Sequence, residues 1–193
     1  MTKAFGRPTQ KNAGKINFGL NTCHIKEIED VTKEKQRFDL ALVFTLGFPD
    51  TDWERKFFSY FDFERDQKGN LVPGNESPAL RRFYERFVDY LGLTNFGVDE
   101  KGNFIHTEDG SKIVAVADYL KTKLRMNDDS YLAYVTPNEW QGKIRQSVDF
   151  LVDSTNHHAC KQAESYITWK ESLDDKSTST VQPEEDNNEE LPI

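Results

Sequence analysis

Arg37-Phe38-Asp39-Leu40-Ala41-Leu42-Val43-Phe44-Thr45-Leu46-Gly47-Phe48, and a short turn later Trp53-Glu54-Arg55-Lys56-Phe57-Phe58-Ser59-Tyr60-Phe61-Asp62-Phe63, decide how this chain folds. In the first run Phe38, Leu40, Leu42, Phe44 and Leu46 alternate with Asp39, Ala41, Val43 and Thr45. A period of two belongs to a strand that turns one apolar face to a core. Gly47, Pro49 and Asp50 end it. The second run alternates as well, with Phe57, Ser59, Phe61 and Phe63 on one side and Phe58, Tyr60 and Asp62 on the other. Both of its faces carry rings, and a one-sided core accounts for only one set. Phe57, Phe61 and Phe63 make the more uniformly apolar side, so Phe58 and Tyr60 are expected to face outward.

Working upstream, Ile16, Phe18 and Leu20 alternate with Asn17, Gly19 and Asn21, which predicts a half-buried strand, and the polar stretch Asp30 to Lys35 predicts a turn. Downstream, Ser77 caps a helix with Pro78 in its first turn. Leu80, Phe83, Tyr84, Phe87, Val88 and Leu91 form a continuous helical stripe, and Gly92 supplies a left-handed stop. Gly97 to Gly110 is rich in turn residues, and Ile113 to Leu120 has weak helical spacing. Tyr131–Val135 and Ile144–Val152 read as two further strands, joined by Thr136 to Lys143. Ala159 to Trp169 suits either a short helix or an added strand. No internal repeat is evident. Three strands, a helical insert and two strands is the element order of the OB-fold, a five-stranded barrel with a helix between strands three and four. A β-sandwich with an inserted helix, or another α+β fold, fits the same count.

The ends of the chain differ in charge. Lys3, Arg7, Lys11 and Lys15 precede the first acid, Glu27, and Gly6, Pro8, Asn12 and Gly14 discourage regular structure. Residues 1–15 are therefore expected to be a flexible basic arm and 16–170 a folded domain. Residues 171–193, with eight acids and one lysine, are expected to be a disordered acidic tail ending on Leu191-Pro192-Ile193. The net charge of -8 is thus carried almost entirely by the tail. No apolar run is long enough to span a membrane, and no signal-peptide core is present. Cys23 and Cys160 do not make a disulfide framework, and reduced thiols in a cytoplasm are the simplest reading. Gly-rich phosphate loops and nucleophile elbows are missing. His157-His158-Ala159-Cys160 lacks the spacing of a structural zinc site. No cofactor, no metal and no enzymatic activity are expected.

The remaining chemistry is aromatic and basic side chains interleaved on strands. Single-stranded nucleic acid calls for this pairing, because flat rings stack on bases while cations follow the phosphates. Arginine adds a planar fork that stacks as well as pairs. On an OB-fold the second and third strands and their loops form the usual binding face. The expected contacts are Trp53, Arg55, Lys56, Phe58 and Tyr60, then Tyr134, Trp140, Lys143 and Arg145, with Lys3, Arg7, Lys11 and Lys15 of the arm.

The chain resembles the single-stranded DNA-binding proteins of bacterial viruses that are built on an OB-fold with an acidic tail. The strand and helix order over residues 16–152 carries part of the resemblance. So does the run Asp118-Tyr119-Leu120-Lys121-Thr122-Lys123 leading to Tyr131-Leu132-Ala133-Tyr134-Val135 and Glu139-Trp140-Gln141-Gly142-Lys143. The tail is the third feature, with Asp186, Glu189, Glu190, Leu191, Pro192 and Ile193 as its partner-binding end. Its terminal Ile departs from the commoner aromatic. The resemblance implies weakly sequence-dependent coating of single-stranded DNA in phage replication or recombination, in the host cytoplasm. It also implies a tail that competes for the DNA groove and recruits replication or recombination proteins; a homo-oligomer is compatible with it. The alternatives are a protein-interaction module or DNA-mimic inhibitor of a host enzyme, and a metal-dependent nuclease.

Overall fold

The computed structural model describes residues 16–49 and 51–178. The chain forms two units, one ending at Cys160 and one beginning at Lys161. The first is mainly β. It contains β1 (Gly19–Asp30), β2 (Leu40–Gly47), β3 (Glu54–Phe61), helix α1 (Pro78–Phe83), β4 (Phe96–Val98), β5 (Phe104–His106), α2 (Val116–Lys123), β6 (Tyr131–Trp140) and β7 (Lys143–Asp153). Five of the strands make one antiparallel sheet in the order β3-β2-β1-β6-β7, and β4 and β5 make a separate hairpin within the insert.

The strand β1 serves two neighbours. Its first half, Gly19–Cys23, pairs with β6 and its second half, His24–Asp30, with β2, and a bulge at Lys26 lies just past the changeover, within the part paired to β2. A bulge bends a strand and increases its local twist, which is what lets one strand belong to both halves of a curved sheet. The sheet does not close. Its edges β3 and β7 share no ladder; instead the Arg55 guanidinium donates from Nη2 to Gln146 Oε1 at 2.9 Å.

The expected alternation in β3 is observed. Phe57, Ser59 and Phe63 are buried and Phe61 is half-buried, while Phe58, Tyr60 and Asp62 are exposed. β2 is buried on both faces, including Ala41 and Val43. The predicted helix is present, with the Ser77 hydroxyl accepting from Leu80 N at 3.2 Å and Pro78 in the first turn. It is shorter than the stripe suggests. After Phe83 it widens into a π-turn, Tyr84–Val88, in which Asp89 N donates to the Tyr84 carbonyl. This re-aims Phe87 into the core. Phe83 is the hub there, with ring centroids 5.1 Å from Phe61, 5.4 Å from Phe63, 5.8 Å from Phe87 and 5.8 Å from Phe96. Burial of each such ring is worth about 1.5–3 kcal/mol. Cys23 and Cys160 are both free and buried, and burial pushes the Cys23 thiol up.

Three sequence expectations need correction. The segment Thr136–Lys143 is not a loop: β6 and β7 continue as a ribbon beyond the end of β1 and turn only at Gln141-Gly142. Both turn residues have positive φ, 51° and 70°, the geometry that matches the twist of a two-residue hairpin. The stretch Ala159–Trp169 is helical, and α3 (His157–Thr178) runs eight residues into the expected tail. The third correction concerns repetition. Asp66-Gln67-Lys68-Gly69-Asn70 and Asp99-Glu100-Lys101-Gly102-Asn103 form the same turn twice. In each, the aspartate carboxylate accepts from the backbone N–H two and four residues on, and the glycine has φ 81° or 82°. The two turns are joined, Leu71 N donating to the Glu100 carbonyl at 2.7 Å.

Candidate nucleic-acid interface

The outward face of β3 carries the clearest site. Register places Lys56 beside Thr45, Phe58 beside Val43 and Tyr60 beside Ala41. The small buried side chains of β2 form a floor, and the larger β3 side chains stand above it. Phe58 is 52% exposed and Tyr60 37% exposed. Their rings lie 5.9 Å apart, and Phe38 stacks on the other side of Tyr60 at 4.9 Å and 15°. The Arg37 guanidinium sits 5.2 Å from the Phe38 centroid. The result is one continuous ladder, Arg37–Phe38–Tyr60–Phe58, ending beside Lys56.

Phe38 corrects the initial reading. Alternation put it on the core side with Leu40, but it precedes the first residue of β2. Free of the ladder's constraint, it turns to the outer surface to cover Tyr60. Arg37 and Phe38 therefore belong to the candidate surface, which strand periodicity missed. The exposed Lys33 and Lys35 of the β1–β2 loop flank them. The available signal was the OB-fold rule that loops next to strand two belong to the binding face.

The other expected residues divide. Trp53 is 39% exposed, but Arg55 lies over its ring at 4.7 Å, so one face is already taken. Arg55 itself is paired in register with the core residue Leu46. It is committed to Gln146 Oε1 and, at 2.8 Å, to the Glu54 carbonyl; it bridges the sheet edges rather than lying free on the surface. Tyr134 is overturned as a stacking platform. It is 8% exposed and stacked on Phe150 at 5.1 Å, and Phe150 in turn meets Tyr90 edge-on. The outer side of β6 is covered there, which alternation on β6 alone could not reveal. Lys143 and Arg145 are exposed on the ribbon, where register puts them on one face with Asn138. Gln146, opposite Pro137, is on the other face and also donates to the Ile16 carbonyl. The first described residue thus sits beside the ribbon. Lys3, Arg7, Lys11, Lys15, the side chain of Trp140, and Asp186, Glu189, Glu190, Leu191, Pro192 and Ile193 lie outside the described residues.

Electrostatics sharpen the outline. Glu54, the acid nearest Lys56 on β3, is paired with Lys26; the hydrogen bond and charge of that ammonium hold its carboxyl below the usual range. Asp39, beside the ladder's start, is bound by Arg65, whose guanidinium is raised above its ordinary value by the Asp39 hydrogen bond. Glu27 and Glu29 lie across β2 on β1, opposite Thr45 and Val43. The cationic track therefore follows the loop and β3, and acids border it on the β1 side.

Among the described residues no three His, Cys, Asp or Glu side chains gather to hold a metal ion. His24 is engaged with Asp129 at 2.8 Å. None of the described helices is long and apolar enough to cross a membrane. In comparison with known proteins, no family model matches this chain and no curated protein matches it.

Proposed function

We propose that this protein binds single-stranded DNA with little sequence preference, in replication or recombination of a bacterial virus. Bases stack on Phe58 and Tyr60, and the phosphates run past Lys33, Lys35, Arg37 and Lys56 toward Lys143 and Arg145 on the ribbon. The carrying observation is the half-exposed ring ladder Phe38–Tyr60–Phe58 standing on a buried strand with an arginine at one end and a lysine at the other. Rings that served only stability would be covered; these are aligned and open on one side. From Lys56 to Tyr60 the face is about 13 Å long, room for a few nucleotides, and single OB-folds take about 4–16. The sheet order and the helical insert between β3 and β6 support the finer reading of an OB-fold whose last edge is bridged by Arg55 and Gln146. The basic arm adds phosphate contacts from its start beside the ribbon. The acidic tail competes for the same cations and offers Leu191-Pro192-Ile193 to replication proteins in the host cytoplasm.

The test is a titration with poly-dT at two salt concentrations, followed by intrinsic tryptophan fluorescence. Binding is expected to weaken steeply with salt, because neutralising phosphates releases counterions. No binding at low salt would refute the proposal. Cleavage of the oligonucleotide in magnesium would replace it with a nuclease.

A further inference from the structure

On the opposite side of β2 from β3, an open cleft of about 620 Å³ lies between the end of β1 and the segment leading into α2. Leu40 and Ile113 form part of its apolar floor, and Val114 stands in it 94% exposed. Its rim carries Glu27, Glu29, Asp30 and Asp118, against Lys33 and Lys121. Lys121 is close to Asp118 at 3.7 Å, and Asp39, also at the cleft, is held by Arg65. Glu27, Glu29 and Asp30 form no ion pair among the described residues. An apolar-floored groove with an acidic rim suits an extended basic segment that carries an apolar side chain.

We propose that this cleft holds the chain's own N-terminal arm, residues 1–15, when no other ligand occupies the arm. Charge is the first argument: the arm has Lys3, Arg7, Lys11 and Lys15 and no acid. Reach is the second. The arm leaves from Ile16, beside Gln146. From there to Glu29 the chain climbs β1 by about 43 Å at 3.3 Å per residue, and fifteen residues span at most about 50 Å. An arm laid back along β1 therefore brings Lys3 to Glu29 and Phe5, about 36 Å from Ile16, to the Glu27 end of the cleft. Tethering is the third, since a linked segment competes at millimolar effective concentration. The cleft thereby becomes a resting place from which a polyanion would draw the arm. The proposal needs no nucleic acid to be true.

The experiment uses the full chain carrying Thr2→Cys with a nitroxide on that cysteine; Cys23 and Cys160 are buried and stay unlabelled. Amide signals of ¹⁵N protein are recorded without any ligand. The expected result is loss of intensity at Val114, Ile113 and Glu29 and none at Gly142, at the tip of the ribbon beyond the other end of β1. It should be abolished by Glu29→Lys with Asp30→Lys and reduced by Glu29→Gln with Asp30→Asn, both checked for intact signal dispersion. Unaffected cleft amides would overturn the proposal, as would a loss that ignores the rim charges. If the loss appears only when label and isotope sit on different copies, the occupant is another molecule's arm and the proposal fails.

Discussion

Replacing Phe58 and Tyr60 by alanine separates a binding role from a structural one, because the two kinds of cost differ in this fold. Phe83 has no exposed surface and touches rings on β3, the π-turn and β4. Phe83→Ala is expected to cost about 3–5 kcal/mol of folding stability. Phe58 leaves about half of its surface in water, so Phe58→Ala should cost roughly half as much, about 1.5–2.5 kcal/mol. On the binding side, a base stacked on a ring contributes about 1–3 kcal/mol, and each 1.4 kcal/mol is a tenfold change in Kd. Phe58→Ala is therefore expected to weaken poly-dT binding by roughly 5- to 150-fold. Tyr60→Ala should fall at the lower end, since Phe38 already occupies one face of the ring. Affinity is read by tryptophan quenching, with circular dichroism and urea unfolding as the check that each variant is folded. Folded variants of both residues whose Kd stays within about twofold, or 0.4 kcal/mol, would refute the assignment of bases to this ladder.

The duplicated turn yields a matched pair of variants. Gly69→Ala and Gly102→Ala each put a side chain at positive φ, costing about 1–2 kcal/mol. Only at Gly102 would the new Cβ also meet Arg65 Nη2 at 2.8 Å, and that guanidinium is held by Asp39. Urea unfolding should thus show the Gly102 variant to be the less stable of the two. Asp99 accepts from the Asn103 side chain at 2.7 Å and from the Lys101 and Asn103 backbone at 2.9 Å. Those bonds, the Asn103 side chain first, hold its carboxyl below the ordinary range. A value lower in the folded than in the unfolded chain contributes stability that is present above the unfolded value near 3.9. That contribution disappears as pH falls through the folded value. Asp99→Ala should flatten the loss of stability below about pH 4, measured by chemical unfolding at stepped pH. Deleting residues 179–193, which leaves α3 whole, should tighten poly-dT binding at low salt; weaker binding of the truncated protein in a gel shift would remove the competing role of the tail.

Much of this fold was legible because the signals are local. Alternation in Leu40–Leu46 and Phe57–Phe63 reports which side of a strand meets apolar neighbours, and both strands are where it puts them. Ser77-Pro78 caps a helix through the chain's own geometry. The same alternation failed at Phe38, which lies two residues before the strand, and at Tyr134, whose outer side is covered by a ring sixteen residues further along the chain. The turn signal at Gln141-Gly142 is masked by the polar run around it, so Thr136–Lys143 reads as a loop although it is the outer part of the ribbon.

The sequence alone determined where β2 and β3 lie, the helix start and the split of charge between the two ends, since each depends on residues within a few positions of one another. Tertiary structure decided which rings are free, that Arg55 belongs to a bridge with Gln146, and that Arg37 and Phe38 join Phe58 and Tyr60 in one surface. Those outcomes rest on strand register and on contacts between segments distant in the chain, and exposure is a property of what covers a side chain, which its own neighbours in sequence do not specify.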